Sequence, residues 1–162
     1  MSQDNCRDTG PETSADIEAI KQLKYRYLRT LDLKQWDEFA ELFIPEATGS
    51  YAELQFASRD ELVGYMRENL PAELITFHQA HHPEITVDGD TAVARWYLHD
   101  KVFVPAFNVA IEGAAFYLDA LVRTGEGWRF AHVGYERTFE ASWTMSAVPG
   151  WSFKVGKAYD VG

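Results

Sequence analysis

All five histidines of this chain, His78, His81, His82, His99 and His132, fall near or beyond its midpoint, and three of them crowd into His78-Gln79-Ala80-His81-His82. Imidazole is the side chain that takes up and releases protons near neutrality, and clustered imidazoles also invite a metal ion. Strand geometry argues against the metal. In a regular strand His78 and His81 point to opposite faces, and His78 and His82 lie about 13 Å apart at roughly 3.3 Å per residue. Zinc needs each ligand nitrogen about 2 Å from one ion. A bulge near Pro83, which cannot donate to a strand ladder, would change that spacing.

Other polar residues stand where apolar ones are expected. Alternation along the run from Arg95 to Val104 puts Ala94, Trp96, Leu98, Asp100, Val102 and Val104 on one face. A carboxylate on such a face is costly unless paired. Asp100 therefore meets a structural arginine, lies at a solvated end, or forms a polar contact in an apolar pocket. Tyr27 shares a helical face with Ile17, Ile20, Leu23, Leu28 and Leu31, and its hydroxyl needs a partner or water. Asp32 stands where that helix ends, a place the helix dipole disfavours, so it either caps the next helix or serves chemistry. Arg137 alternates with Tyr135 and Phe139. Pointing inward it would hold Asp100 or a substrate oxygen; pointing outward it is a surface charge.

No phosphate-cradling glycine loop, G-x-S-x-G elbow, H-E-x-x-H or C-x-x-C accompanies these residues. A set of His, Asp, Tyr and Arg in apolar surroundings can still move a proton beside a carbonyl without a cofactor.

The elements that must position these residues fall into two halves. Thr13 or Ser14 is the expected cap of the first helix. Asp32-Leu33-Lys34-Gln35 has the spacing to open a second helix burying Trp36, Phe39, Ala40 and Phe43 and stopped by Pro45, and Ser58-Arg59-Asp60-Glu61 to open a third burying Leu62, Tyr65 and Met66. Gly49-Ser50-Tyr51 reads as a short strand. Beyond residue 75 the period changes to 2. Residues 76–87 and 91–104 read as a hairpin across Asp88-Gly89 with a type I′ turn, and 114–123 and 128–139 as a second across Thr124–Gly127. Residues 105–113 read only as a connection. Helices followed by long antiparallel strands give an α+β layout with the helices on one face of the sheet.

At 162 residues the chain fits a single domain. A net charge of −10 argues against nucleic acid or an anionic membrane as partner. Part of that charge, −4, belongs to the first 18 residues (Asp4, Asp8, Glu12, Asp16 and Glu18 against Arg7). Residues 1–14 read as a flexible acidic tail without the basic start and apolar core of a signal peptide. Residues 141–162, with Trp143, Trp151, Phe153 and Tyr159, read as an irregular covering tail. No run of 18 apolar residues occurs. The single Cys6 fits a reducing, cytoplasmic setting.

The segments IKQLKYRYLRTLDLKQWDEFAELFIPEA, HQAHHPEITVDGDTAVARWYLHD and GAAFYLDALVRTGEGWRFAHVGYERTFE, in that order across residues 15–140, resemble the SnoaL-like branch of the nuclear transport factor 2-like superfamily. They are most similar to the branch that holds scytalone dehydratase and bile-acid 7α-dehydratase. The resemblance implies a cone-shaped cystatin-like fold, a curved antiparallel sheet wrapped around three helices with a deep pocket inside. It implies Tyr27, Asp32, His78, Asp100 and Arg137 as the catalytic set, with His81 and His82 as alternatives to His78 within a small shift of alignment. Trp96, Tyr135 and His82 become candidate substrate contacts. The implied chemistry is cofactor- and metal-free loss of water, or isomerisation, on a hydrophobic polycyclic ketone of steroid or polyketide type. His78 is then the base, held by Asp32, and Tyr27 serves the oxyanion or the departing hydroxyl. A non-catalytic pocket protein is the alternative, as is an isomerase with Asp100 as base. Homodimers or homotrimers are also implied.

Overall fold

A computed structural model describes residues 11–156. Helix α1 spans Pro11–Asp32, α2 Trp36–Ala40 and α3 Arg59–Asn69. The strands are β1 (Phe43–Tyr51), β2 (Leu54–Phe56), β3 (Ile75–Asp88), β4 (Thr91–Val104), β5 (Val109–Thr124) and β6 (Gly127–Thr144). They form one curved, unclosed sheet in the order β2-β1-β6-β5-β4-β3, and the helices pack inside its curve. The expected α+β cone is what forms. All strand pairs are antiparallel except β1 with β6, which run parallel.

Alternation fixes which side chains face the helices. On β4, Ala92, Ala94, Trp96, Leu98 and Asp100 are all buried while their neighbours up to Tyr97 are exposed, as the pattern of β4 demands. On α1, Ile20, Leu23, Tyr27, Leu28 and Leu31 enter the core. Ser58 caps α3 by accepting from the Glu61 N–H at 3.2 Å, the expected box.

Several local expectations are corrected. Helix α1 begins at Pro11, ahead of the expected cap at Thr13 or Ser14; the tail residues before it, and residues 157–162, lie outside the described residues. Asp32 does not cap α2, whose cap position is Gln35 without a side-chain bond. Helix α2 ends at Ala40, and Pro45 lies within β1. The first hairpin turns on Gly89-Asp90, of which only Gly89 has positive φ (59°), the pattern of a type II′ turn. Pro105–Phe107 make a 3₁₀ turn, and β5 already starts at Val109. β6 continues to Thr144, and the segment after it packs on the outer side, Phe153 stacking on Phe103 (4.7 Å between centroids) and Trp151 meeting Trp143. Among the described residues no helix is long and apolar enough to cross a membrane.

Candidate active site

Between the helices and the sheet lies a cavity of about 190 Å³. Its wall is Tyr27 and Leu31 of α1, Tyr51 of β1, Leu54 of β2, Tyr65, Met66 and Leu70 at α3, Thr76 and His78 of β3, Asp100 and Val102 of β4, Tyr117 of β5, and Tyr135 and Arg137 of β6. Four of the five expected catalytic residues therefore line one apolar cavity. The fifth, Asp32, sits directly behind His78.

The end of α1 and the start of β3 build the basic group. Asp32 Oδ1 lies 2.6 Å from His78 Nδ1, and Oδ2 accepts the backbone N–H of His78 at 2.9 Å. Thr76 donates its hydroxyl to Oδ1 at 2.8 Å. The Asp32 carboxylate is thus fixed from three directions. With Nδ1–H given to Asp32, the imidazole is held in the tautomer whose Nε2 carries a free lone pair. Alternation along β3 places Thr76 and His78 on the inner face, and His78 pairs across the ladder with Asp100.

Asp100 and Arg137 form the second unit. Asp100 is 1% exposed and receives both terminal nitrogens of Arg137, Nη2 to Oδ2 at 3.0 Å and Nη1 to Oδ1 at shorter range. The guanidinium also lies 5.1 Å from the Tyr135 ring centre. Arg137 on β6 reaches Asp100 on β4 across the intervening β5, where Gly113 stands between them. A methyl group at Gly113 would come within 3.0 Å of Arg137 Cζ and 3.2 Å of Asp100 Oδ1. Gly113→Ala is therefore expected to break the pair and lower stability by roughly 1–3 kcal/mol, read as a lower urea midpoint; an unchanged midpoint would show that the arginine has room to move. Both Asp100 carboxylate oxygens hold Arg137, which casts Asp100 as the partner of that guanidinium.

Tyrosines make the third unit. Tyr27 and Tyr51 share a hydrogen bond of 2.7 Å between hydroxyls. Tyr51 stacks on Tyr135 at 5.1 Å, and Tyr117 meets Tyr27 and Tyr135 edge-on. Burial pushes the Tyr27, Tyr51 and Tyr117 hydroxyls well above the ordinary phenol range, so they stay protonated and donate. Tyr27 thus pairs with Tyr51 and makes no hydrogen bond to His78.

Two expected contacts lie elsewhere. Trp96 is on the inner face but only 1% exposed, in the core near Lys24 and away from the cavity. His82 takes φ 49° in a bulge between His81 and Glu84, which turns its ring outward against Tyr97 (5.9 Å). The bulge breaks the parity that would have kept His82 beside His78. His78, not His81 or His82, is the imidazole at the cavity.

Other polar groups enter unannounced. Lys24 and Asp119 are a fully buried ion pair below the cavity, with Nζ 2.9 Å from Oδ2 and 3.3 Å from the Tyr117 ring centre. Burial brings Lys24 down to about 8 and raises Asp119, each opposed by the other's charge. Tyr51 belongs to the site, and only its place in a short strand was visible.

Residues 12–134 match the SnoaL-like domain. The chain belongs to that family, within the nuclear transport factor 2-like superfamily. Solved structures agree on the fold. A candidate scytalone dehydratase from Novosphingobium aromaticivorans superposes with a TM-score of 0.73 at 19% identity, covering 90% of this chain and 97% of that one. The hexachlorocyclohexane dehydrochlorinase LinA-type3 from Novosphingobium barchaimii gives 0.74 at 15% identity, covering 88% and 97%. A protein of unknown function from Mycobacterium tuberculosis gives 0.69 at 21% identity, covering 81% and 78%. This SnoaL-like chain thus shares its cone with proteins named for eliminations and with one of unknown function.

Proposed function

We propose that the protein is a cofactor-independent lyase that removes a proton and a leaving group from neighbouring carbons of a small, uncharged, hydrophobic substrate. The observation that carries this reading is the Asp32–His78 pair at the wall of an apolar cavity, with Nε2 of His78 unbonded among the described residues. Nε2 would take the proton α to an activating group. The Tyr27–Tyr51 pair would donate to the oxygen or leaving group that gains charge, from a dry site where such a bond is strong. Both named relatives with an activity, a dehydratase and a dehydrochlorinase, would be eliminating enzymes of this kind.

Size and charge narrow the substrate. About 190 Å³ is below the roughly 300 Å³ at the small end of pockets for drug-sized ligands. That favours a one- or two-ring compound over the steroid-like polycycle expected from the resemblance. Arg137 is neutralised by Asp100, which favours a neutral substrate over an anion. Isomerisation of a β,γ-enone by the same base is the neighbouring activity. The test is product analysis with β-hydroxycyclohexanone and with its β,γ-enone counterpart: faster enone formation from the hydroxyketone supports a lyase, and conversion of the enone alone supports an isomerase. A pocket protein without catalysis would convert neither.

The cytoplasmic setting and the homo-oligomer belong to this proposal. The outer face carries Tyr97, Phe116 and Leu118, each about half exposed, between exposed Arg95 and Glu136. A second copy related by a two-fold axis would cover the apolar row and bring unlike charges together. Light scattering should give a multiple of the 18.4 kDa chain mass, and Phe116→Glu should return the monomer. A monomeric parent protein would remove this part of the proposal.

A further inference from the structure

Helix α1 ends in a motif that normally asks for glycine. Gln35 N–H bonds the Thr30 carbonyl at 2.9 Å and Lys34 N–H bonds the Leu31 carbonyl at 3.2 Å, the two bonds of a Schellman ending. The residue in the left-handed position is Lys34, with φ 59°. A side chain there is disfavoured by its own Cβ, and Gly or Asn is the usual occupant. Such an outlier persists where something holds it. Here the side chain runs inward: Lys34 Nζ reaches Thr76 Oγ1 at 2.6 Å, and that hydroxyl donates to Asp32 Oδ1 at 2.8 Å.

The hydroxyl of Thr76 has one proton. An ammonium can only donate, so Lys34 occupies a Thr76 lone pair and leaves the proton to point at Asp32. Asp32 in turn orients His78. We propose that Lys34 is a positioning residue for the His78 base, acting through Thr76 and Asp32, and that the strained left-handed backbone is what lets its ammonium reach them. This inference rests on the lyase reading of the same site. Burial also brings Lys34 down to about 8, against the pull of Asp32. The charged or titratable groups around it are Asp32 of α1, His78 of β3, Asp37 and Glu38 of α2 and Arg67 of α3.

The test uses the residue the backbone prefers. Lys34→Gly relieves the strain and removes the ammonium, so the variant folds while the relay is cut. Removing a nearby positive charge and freeing the Thr76 proton both make Asp32 a stronger partner for an imidazolium, so the two effects share a sign. In NMR the Nδ1–H proton of His78 is expected to move downfield in the variant, as its bond to Asp32 strengthens. With β-hydroxycyclohexanone as probe, kcat should fall about tenfold with KM within about twofold, since base orientation acts in the transition state. Thr76→Val should move the His78 Nδ1–H resonance in the same direction, and because both changes free the same Asp32 oxygen the double variant should move it by less than the sum of the two singles. An unmoved His78 Nδ1–H resonance in Lys34→Gly overturns the inference, as does a double variant whose effects simply add. His78→Ala separates the layers: if it keeps parental turnover the lyase reading fails, while the His78 Nδ1–H resonance in Lys34→Gly still decides whether Lys34 orients the pair.

Discussion

Changing His78 to alanine is expected to slow elimination by about 10²–10⁴-fold, the range over which a positioned general base contributes. The loss should fall on kcat, because the imidazole is one of many groups at the cavity wall and, among the described residues, the only one there with an unbonded basic nitrogen. Asp32→Asn should lose a comparable amount for a different reason. The new amide can donate to Nδ1, and that bond favours the tautomer with its proton on Nε2, where the lone pair is needed. Such a variant should fold, since its carboxamide oxygen still accepts from the His78 backbone N–H and the Thr76 hydroxyl can turn to accept from the new amide group. The two variants therefore share a kinetic defect and differ in cause, which ¹⁵N shifts of the ring distinguish: Nδ1–H in the parent, Nε2–H in Asp32→Asn. Parental turnover in either variant would remove His78 from the base position.

The second large effect is on stability. Lys24 and Asp119 have no exposed side-chain surface, and each is the other's only ion partner among the described residues. Removing one member leaves a buried charge uncompensated, which costs about 3–5 kcal/mol. Lys24→Met should accordingly lower the melting temperature on the order of 10 °C for a chain this long. The pair itself is not worth that much. Its attraction offsets the desolvation of two ions, so the double change Lys24→Met with Asp119→Leu should restore most of the loss. Additive losses in the double variant would show the pair to be net stabilising.

The same pair gives a pH signature. Lys24 and Lys34 sit at about 8 in the folded chain against an ordinary value of 10.5. Between those values the unfolded chain binds more protons at both lysines, so stability rises with pH across that window. The buried tyrosines act oppositely: they keep their protons above the ordinary 10.0, so stability falls again beyond it. The urea midpoint should climb between about pH 7.5 and 9.5, and climb less in the double variant that lacks Lys24. A flat profile would contradict the burial of both lysines.

How much of this was legible in the residues depends on the kind of signal. Asp100 could be found because it interrupts an alternating apolar face. Asp119 satisfies the same criterion, between Tyr117 and Leu121 on β5, and Lys24 falls on the helical face of Ile20, Leu23 and Tyr27. Two anomalies on facing elements were thus readable as a pair, but the pairing itself is made by tertiary packing. The α+β layout followed from the change of period and the curved cone from the family resemblance, while of the expected caps only Ser58 holds and the parallel pairing of β1 with β6 leaves no mark in local pattern. Trp96 and His82 were misplaced for different reasons. Trp96 has the right parity and the wrong depth along β4, and His82 is turned by a bulge. Lys34 looked like a residue of a capping box; only its backbone angle and its reach to Thr76 reveal another use.

Whether His78 acts as a base on a ligand inside the cone is measured most directly by the rate at which β-hydroxycyclohexanone loses water to the enone in deuterium oxide, followed by NMR together with deuterium entry at the α carbon. Catalysed exchange and dehydration are expected with the parent protein, and the uncatalysed rates of both with His78→Ala. Equal rates for the two proteins, whether fast or at background, would contradict that role.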